Sequence, residues 1–519
     1  MHVKLPKTLI AAAGGLALVA AGPAAAQAAL ASPVSLPTST TVSVACSTGA
    51  LIADVTAVVS GETLSLSSKC TYVLTATLPA ITTDLTIQGN SATLERSLAN
   101  VTPEFNILTV SSGNVIINNV NFTNGDADAD SDCVIRSATR QATHRQATHG
   151  EATHGKATRQ ATHRQATHGK ATHRQATHGK ATHARSAIDG CGDVRSHNGP
   201  VGGPVEIKDG GAIYNTGGNV SVTGGTFTDN TADIDGGAIY SDDVLSVSGA
   251  TFTDNSAEYG GAIYNEYDAA ISKSTFTGND AYEGGALYAD WNTEVDTSVF
   301  SDNGADDGGG AYIDDGTDTI ATSSFISNDA DEGGGVYNDG YASIASTLFL
   351  SNSASSYGGG LYNADIAFLT TVVFRQNAAS DYGGGAYDDD YLSLTSSTVA
   401  SNTAEYGGGI YSDDDLVTNT TGFTRNTAYE GGGVYDDEYA TLIGASFTLN
   451  SATDYGGAIY GEGDMLDLIN GFVNLNTAPG GGGGGIYNDD DNISVIGSRI
   501  FGNTASNCSP AGSVDGCTG

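Results

Sequence analysis

The chain has 519 residues, of which 70 are glycine, 39% are hydrophobic and 15% are charged, with a formal net charge of −39. So few basic residues in the body argue against nucleic acid as a partner and predict a surface that repels anionic polymers. The apolar share is enough for a substantial core, which argues against global disorder. From the N-terminus, residues 1–28 read as a secretory signal peptide: Lys4 and Lys7 precede an apolar run over 9–21, and Ala24-Ala25-Ala26 or Ala26-Gln27-Ala28 offers a cleavage site. A retained anchor helix is the alternative, disfavoured by Gly14, Gly15 and Pro23 in so short a run. No later stretch reads as a transmembrane span, so the mature chain is expected to be secreted or held at the cell surface. Residues 29–75 read as a linker and N-terminal cap, with Leu51, Ile52, Val55, Val58 and Val59 on a helical face between Cys46 and Cys70. Residues 76–132 read as irregular first coils, through Leu85-Thr86-Ile87 and Val115-Ile116-Ile117 to Phe122.

Residues 133–200 form a low-complexity insertion. Over 138–185 it holds imperfect copies of Ala-Thr-His-Arg-Gln and Ala-Thr-His-Gly-Lys, with eight of the chain's ten histidines. A recent tandem duplication, disordered and clamped at its base by Cys133 and Cys191, is the favoured reading. Histidine every five residues is also a pattern that binds Zn²⁺ or Ni²⁺. Ala127 and Gly210-Gly211 align with the repeats described next, so the insertion interrupts one coil. Six cysteines in an exported chain suggest disulfides, and their spacing favours Cys46–Cys70, Cys133–Cys191 and Cys508–Cys517. A metal site is the competing reading, without C-x-x-C spacing to support it.

Residues 201–506 settle the fold class. A Gly-Gly-x-Tyr element, with a small residue before an aliphatic one, recurs twelve times, from Tyr214 to Tyr487, at spacings of 24 to 27 residues, and Phe-x-x-Asn-x-Ala follows twelve or thirteen residues after most of these tyrosines. Val399, Val473 and Ile500 replace the Phe, while the Asn and Ala occur in all twelve coils. Aliphatic residues five before the Phe alternate with Ser and Thr, as strands do. Bends are expected between that residue and the Phe, at the Asn, which tolerates left-handed backbone, and at the Gly-Gly pair. Three strands and three bends in about 24 residues describe one coil of an all-β, single-stranded, right-handed parallel β-helix, each strand pairing with its copy roughly 4.8 Å away. A rod of roughly 60 to 70 Å follows from about fourteen such coils. Residues 507–519, with Cys508 and Cys517, read as a C-terminal cap.

The paired motifs, seen directly in Gly236-Gly237-Ala238-Ile239 and Phe252-Thr253-Asp254-Asn255, resemble the passenger domain of the polymorphic outer-membrane protein family. The resemblance covers about residues 200–506 and implies an adhesin-like role. The chain ends at Gly519 without the alternating strands of a membrane barrel, so autotransport and outer-membrane anchoring are not expected to carry over.

The residues then offer two functional surfaces. Stacked outer tyrosines such as Tyr362, Tyr387, Tyr411 and Tyr435 would form a platform for an extracellular polysaccharide or protein surface, although inward tyrosines filling the core fit the pattern nearly as well. An acidic stripe follows the tyrosines, including Asp388, Asp389, Asp390, Asp413, Asp414, Asp415, Asp436 and Asp437. Carboxylates stacked about 5 Å apart repel one another, so they splay into solvent or hold cations, Ca²⁺ being the candidate. A polysaccharide lyase or hydrolase is the enzymatic alternative. It needs a base set against carboxylates, and the coils after His197 have no His and few cations. Identical acid pairs in every coil favour a non-catalytic adhesin or extended binding scaffold, with a structural spacer next.

Overall fold

Residues 40–99, 102–127, 209–463, 465–489 and 493–517 are described by the computed structural model. The two-residue alternation of the repeats sets the direction of each side chain. Ile239, Leu245, Val247 and Phe252 are buried, while Ser246, Ser248 and Thr251 between them are half-buried. Parallel pairing then stacks like on like: Phe227 on Phe252 on Phe276, Val222 on Val247 on Ile271, and Tyr240 on Tyr264 on Tyr288. The outcome is the expected right-handed parallel β-solenoid, of about 15 turns. The Tyr strands form one 14-stranded sheet, which counts the stacked copies on that face. The aliphatic and Phe strands, separated by a single bend, merge into a second sheet. The third face is narrow, with short strands such as Asp329–Glu332, Ser353–Tyr357 and Ala378–Ala379 joined by isolated bridges.

Each bend has a chemical cause. The first glycine of every Gly-Gly pair sits at φ between 59° and 67°. At Gly236 an added Cβ would also lie 2.1 Å from the Ile239 carbonyl oxygen, so a side chain is excluded twice over. The Asn bend differs from the sequence expectation. Left-handed backbone falls on the residue before the Asn, at Asp229, Asp254, Ser327, Gln376 and Arg425 among others. The Asn is thereby free to turn its amide inward. In Asn352, Oδ1 accepts from the backbone and side-chain nitrogens of Asn328 (3.0 Å each). Its Nδ2 donates to the Phe325 carbonyl and to Asn377 Oδ1, again at 3.0 Å. Asn230 to Asn476 form one such buried column, ending on the half-buried Asn503, in which every amide is satisfied on both sides, as a dry interior requires.

Between the bends, the Phe rings stack at 4.5 to 5.2 Å and are fully buried. Each contributes roughly 1.5–3 kcal/mol by leaving water. At the N-terminal end, helix α1 (Thr48–Thr56) starts at Ser47, whose side chain accepts from Ala50 N–H. Leu51 and Val55, four residues apart, are buried in the common core. The wider apolar face expected there is not formed. Ile52 is exposed, and Val58 and Val59 lie beyond the helix end, Val58 half-buried against the core and Val59 exposed. Cys46–Cys70 and Cys508–Cys517 are disulfides, and Cys508 itself extends the Tyr sheet by pairing with Ile486. Phe122 stacks directly on Phe227, and Leu108 pairs with Ile213, so one turn carries the whole intervening insertion. The signal segment, the histidine-rich copies and the Cys133–Cys191 pairing lie outside the described residues.

Candidate binding edge of the solenoid

The Tyr strand decides which way the tyrosines face. Ile239 before Tyr240 and Ser241 after it are both buried, on the interior side of the strand. The ring between them therefore points outward. The tyrosines accordingly fall outside the core, in two clusters of their own. Outward does not mean open. All twelve rings from Tyr214 to Tyr487 stack in sequence at 4.5 to 5.8 Å between centroids. Tyr411 and Tyr435 keep only 8% and 6% of their surface, while Tyr362 and Tyr387 are half-buried. A second aromatic column adds to this cover and was not singled out from sequence, although Tyr before Gly-Gly in several coils was its signal. Tyr357, Tyr382 and Tyr406 stack on one another, and Tyr382 sets its edge against Tyr411 at 4.7 Å.

The hydroxyl at the tip of five of these rings donates to a carboxylate of the next coil. Tyr240 donates to Glu266 (2.8 Å), Tyr288 to Asp314 (2.7 Å), Tyr312 to Asp339 (3.4 Å) and Tyr460 to Asp489 (3.3 Å), and Tyr435 donates to Glu462. In every case the acceptor lies two residues after the next tyrosine, a position that is Asp or Glu in ten of the twelve coils. Burial first, and these carboxylates second, hold the phenols above their ordinary range, so they stay donors at any physiological pH. Burial and a neighbouring acid likewise push Glu266 and Asp389 up to about 6 and Asp437 up to about 7. Asp413 is the neighbour of both Asp389 and Asp437. Repulsion along the column is thus eased by phenol donors and by proton uptake.

The eight candidate metal ligands do not share one column. Asp389, Asp413 and Asp437 stack on the edge just described. Asp390 and Asp414 lie one residue further on, and Asp415 opens the following strand, paired with Tyr391 and Tyr439. Asp388 and Asp436 face the opposite way. Both are fully buried in an inner polar column, because they sit one residue after the tyrosine and share the inward parity. Asp388 accepts from Asn363 Nδ2 (2.8 Å) and Ser412 Oγ (3.1 Å). Burial pushes its carboxyl far above the usual range, partly opposed by those two donors. Among the described residues, no group of three or more His, Cys, Asp or Glu is placed to hold a metal ion.

One inward acid escaped sequence reading altogether. Asp318 occupies a core position that is Leu in Leu245 and Ala in Ala342, and it is 1% exposed. Its Oδ1 accepts from Thr293 N–H at 2.7 Å, while Oδ2 has no partner and borders a cavity of about 10 Å³. Burial pushes this carboxyl up to about 8. The signal was a change of offset, since Tyr288 pairs with Tyr312 at a separation of 24 but Val295 with Ile320 at 25.

With this geometry in view, the comparisons with known proteins are informative for the repeat. Residues 224–242, 249–266 and 444–462 match the family described as the Chlamydia polymorphic membrane protein (Chlamydia_PMP) repeat. These three stretches carry that repeat, and the parallel solenoid on which they lie is consistent with a polymorphic-membrane-protein passenger. No curated protein and no solved structure matches the chain. No helix of the described residues is long and apolar enough to cross a membrane.

Proposed function

We propose that the chain is an exported, adhesin-like scaffold that binds without turnover, and that its Tyr–carboxylate edge is the surface offered to a partner. The observation that carries this reading is the regularity of the edge: the stacked ring recurs in all twelve coils and an acid two residues after it in ten of them. Catalysis needs one place that differs from its neighbours, whereas repetition suits a partner engaged over many coils. The repeat match supports a surface role for the same reason, since these repeats characterise a membrane-protein family.

The partner best suited to the edge is the basic surface of another protein. Each ring lies against its neighbours, so no flat aromatic face is left for a sugar, while carboxylates line the rim. Such a surface steers cationic partners toward it and loses strength with salt. Attachment of beads coated with the full chain to host-cell monolayers tests this, with Asp389, Asp413 and Asp437 all changed to Asn in the comparison protein. Attachment should fall at least tenfold in the variant and in high salt, with unchanged circular dichroism. Equal attachment of both proteins would remove the edge from the account. Release of new reducing ends or unsaturated sugars from polysaccharides would instead make the chain an enzyme.

A further inference from the structure

The position just beyond the edge carboxylate departs from its pattern in two adjacent coils. Three residues after the repeat tyrosine the chain has Gly, Asp or Glu in ten coils, but Tyr267 and Trp291 in two adjacent ones. Asn265 pairs with Ala289 and Ala269 with Thr293, so the two rings occupy equivalent positions on neighbouring rungs. Both are open to solvent, at 51% and 46%. The following coil carries the extra residue noted above, and Gly316 absorbs it at φ 120°. A Cβ there would stand 3.0 Å from the Trp291 carbonyl carbon, so that rung runs close over Trp291 without a side chain.

The extra residue also opens the ladder. One coil earlier, Ala269 N–H donates to the Asn292 carbonyl, but Thr293 N–H donates instead to the Asp318 carboxyl. Across the opening, Asn292 holds both sides: its Oδ1 accepts from Thr317 N–H and its Nδ2 donates to Asp268 Oδ1, each at 3.1 Å. What remains is a surface groove of about 430 Å³ beginning at the residues that follow the two rings, with Asp268, Asn292, Glu294, Thr317 and Thr319 in its walls.

We propose that Tyr267, Trp291 and this groove form a binding site for neutral sugar units of a glycan chain. The apolar face of a pyranose packs on an open aromatic ring, and two rings carried on adjacent rungs, the rungs being roughly 5 Å apart, present neighbouring platforms on the scale of successive hexose units. The rim of a sugar ring is all hydroxyl, and the groove answers it with carboxylate, amide and hydroxyl groups, the carboxylates being the strongest acceptors. Asp268 and Glu294 disfavour uronic acids and other anionic sugars. This site shares with the scaffold reading only that the ligand is held and not cleaved; the tyrosine edge takes no part.

Trp291 is the single tryptophan of the chain, so tryptophan emission, excited at the red edge of absorption where the 24 tyrosines contribute little, reports on this site alone. The full chain is titrated with cellotetraose, mannotetraose and N-acetylglucosamine tetrasaccharide, and run through gels containing galactomannan, polygalacturonate or polylysine. At least one neutral probe should shift the emission and the mobility. Trp291→Ala should weaken galactomannan retardation at least tenfold, and Tyr267→Ala, which keeps the fluorophore, should weaken the tetrasaccharide titration at least threefold. Val59→Ser, at an exposed position remote from both surfaces, should change neither. Silence with every neutral probe, retention by polygalacturonate or polylysine alone, or undiminished retention of a folded Trp291→Ala protein would each overturn the proposal. If Trp291→Ala still binds glycan while the triple Asp→Asn protein loses cell attachment, this site falls and the edge stands.

Discussion

A single asparagine shows how much one residue carries in a solenoid. Removing the Asn352 amide would strand the Asn328 backbone N–H and one of its two side-chain N–H groups, the other still donating to the Phe300 carbonyl, in a fully buried residue. Each buried unsatisfied donor costs about 1–3 kcal/mol, so Asn352→Leu should lower unfolding free energy by about 2–6 kcal/mol in urea melts. A loss below about 1 kcal/mol would mean that the column contributes little. Asp318 makes the opposite case, an acid kept where its coil neighbours have Leu or Ala. Its folded value, about 8, lies above that of an unfolded Asp. The folded chain thus holds a proton that the unfolded chain surrenders between about pH 4 and pH 8, and stability falls across that window. Asp318→Asn should flatten this decline while leaving stability near pH 4 little changed, as measured by urea midpoints at several pH values. An unchanged slope would place the carboxyl in water.

At the scale of the strand and its edge, the same linkage acts on a whole column. Glu266, Asp389 and Asp437 are raised to about 6, 6 and 7, by burial first and a neighbouring acid second. Raised carboxyls bind more protons folded than unfolded, so their contribution is greatest below about pH 4 and is lost as pH climbs through about 7. The melting temperature should therefore be higher at pH 5 than at pH 8, and salt should narrow the gap by screening. A melting temperature that rises from pH 5 to pH 8 would contradict the edge geometry. Here the limits of sequence reading are specific. The inward Phe and aliphatic columns were legible because strand parity repeats in chemistry as well as in position. Asp388 and Asp436 were misplaced because runs of acids such as Asp388-Asp389-Asp390 hide that parity under identical side chains. The bend before the Asn was hidden for the converse reason: Asp229, Ser327, Gln376 and Arg425 share a backbone conformation and no chemistry.

For the molecule as a whole, the coil sequence determines nearly everything except what is bound. Each coil pairs only with its neighbours, so stability adds along the axis, and one repeated strand direction is multiplied into a face. The direction of the tyrosine is therefore the central claim, since it alone separates a recognition edge from a second core. Sequence left that direction open because a ring on the outside of a tight ladder is nearly as covered as one inside. The most direct test changes Tyr362, Tyr387, Tyr411 and Tyr435 to Ser together and follows backbone hydrogen exchange. Outer tyrosines predict a lower melting temperature but continued protection of Leu361, Leu369, Leu394 and Leu442 amides, because the Phe, aliphatic and Asn columns remain intact. Loss of that protection across these coils, as expected when several large core side chains are removed at several kcal/mol each, would contradict it.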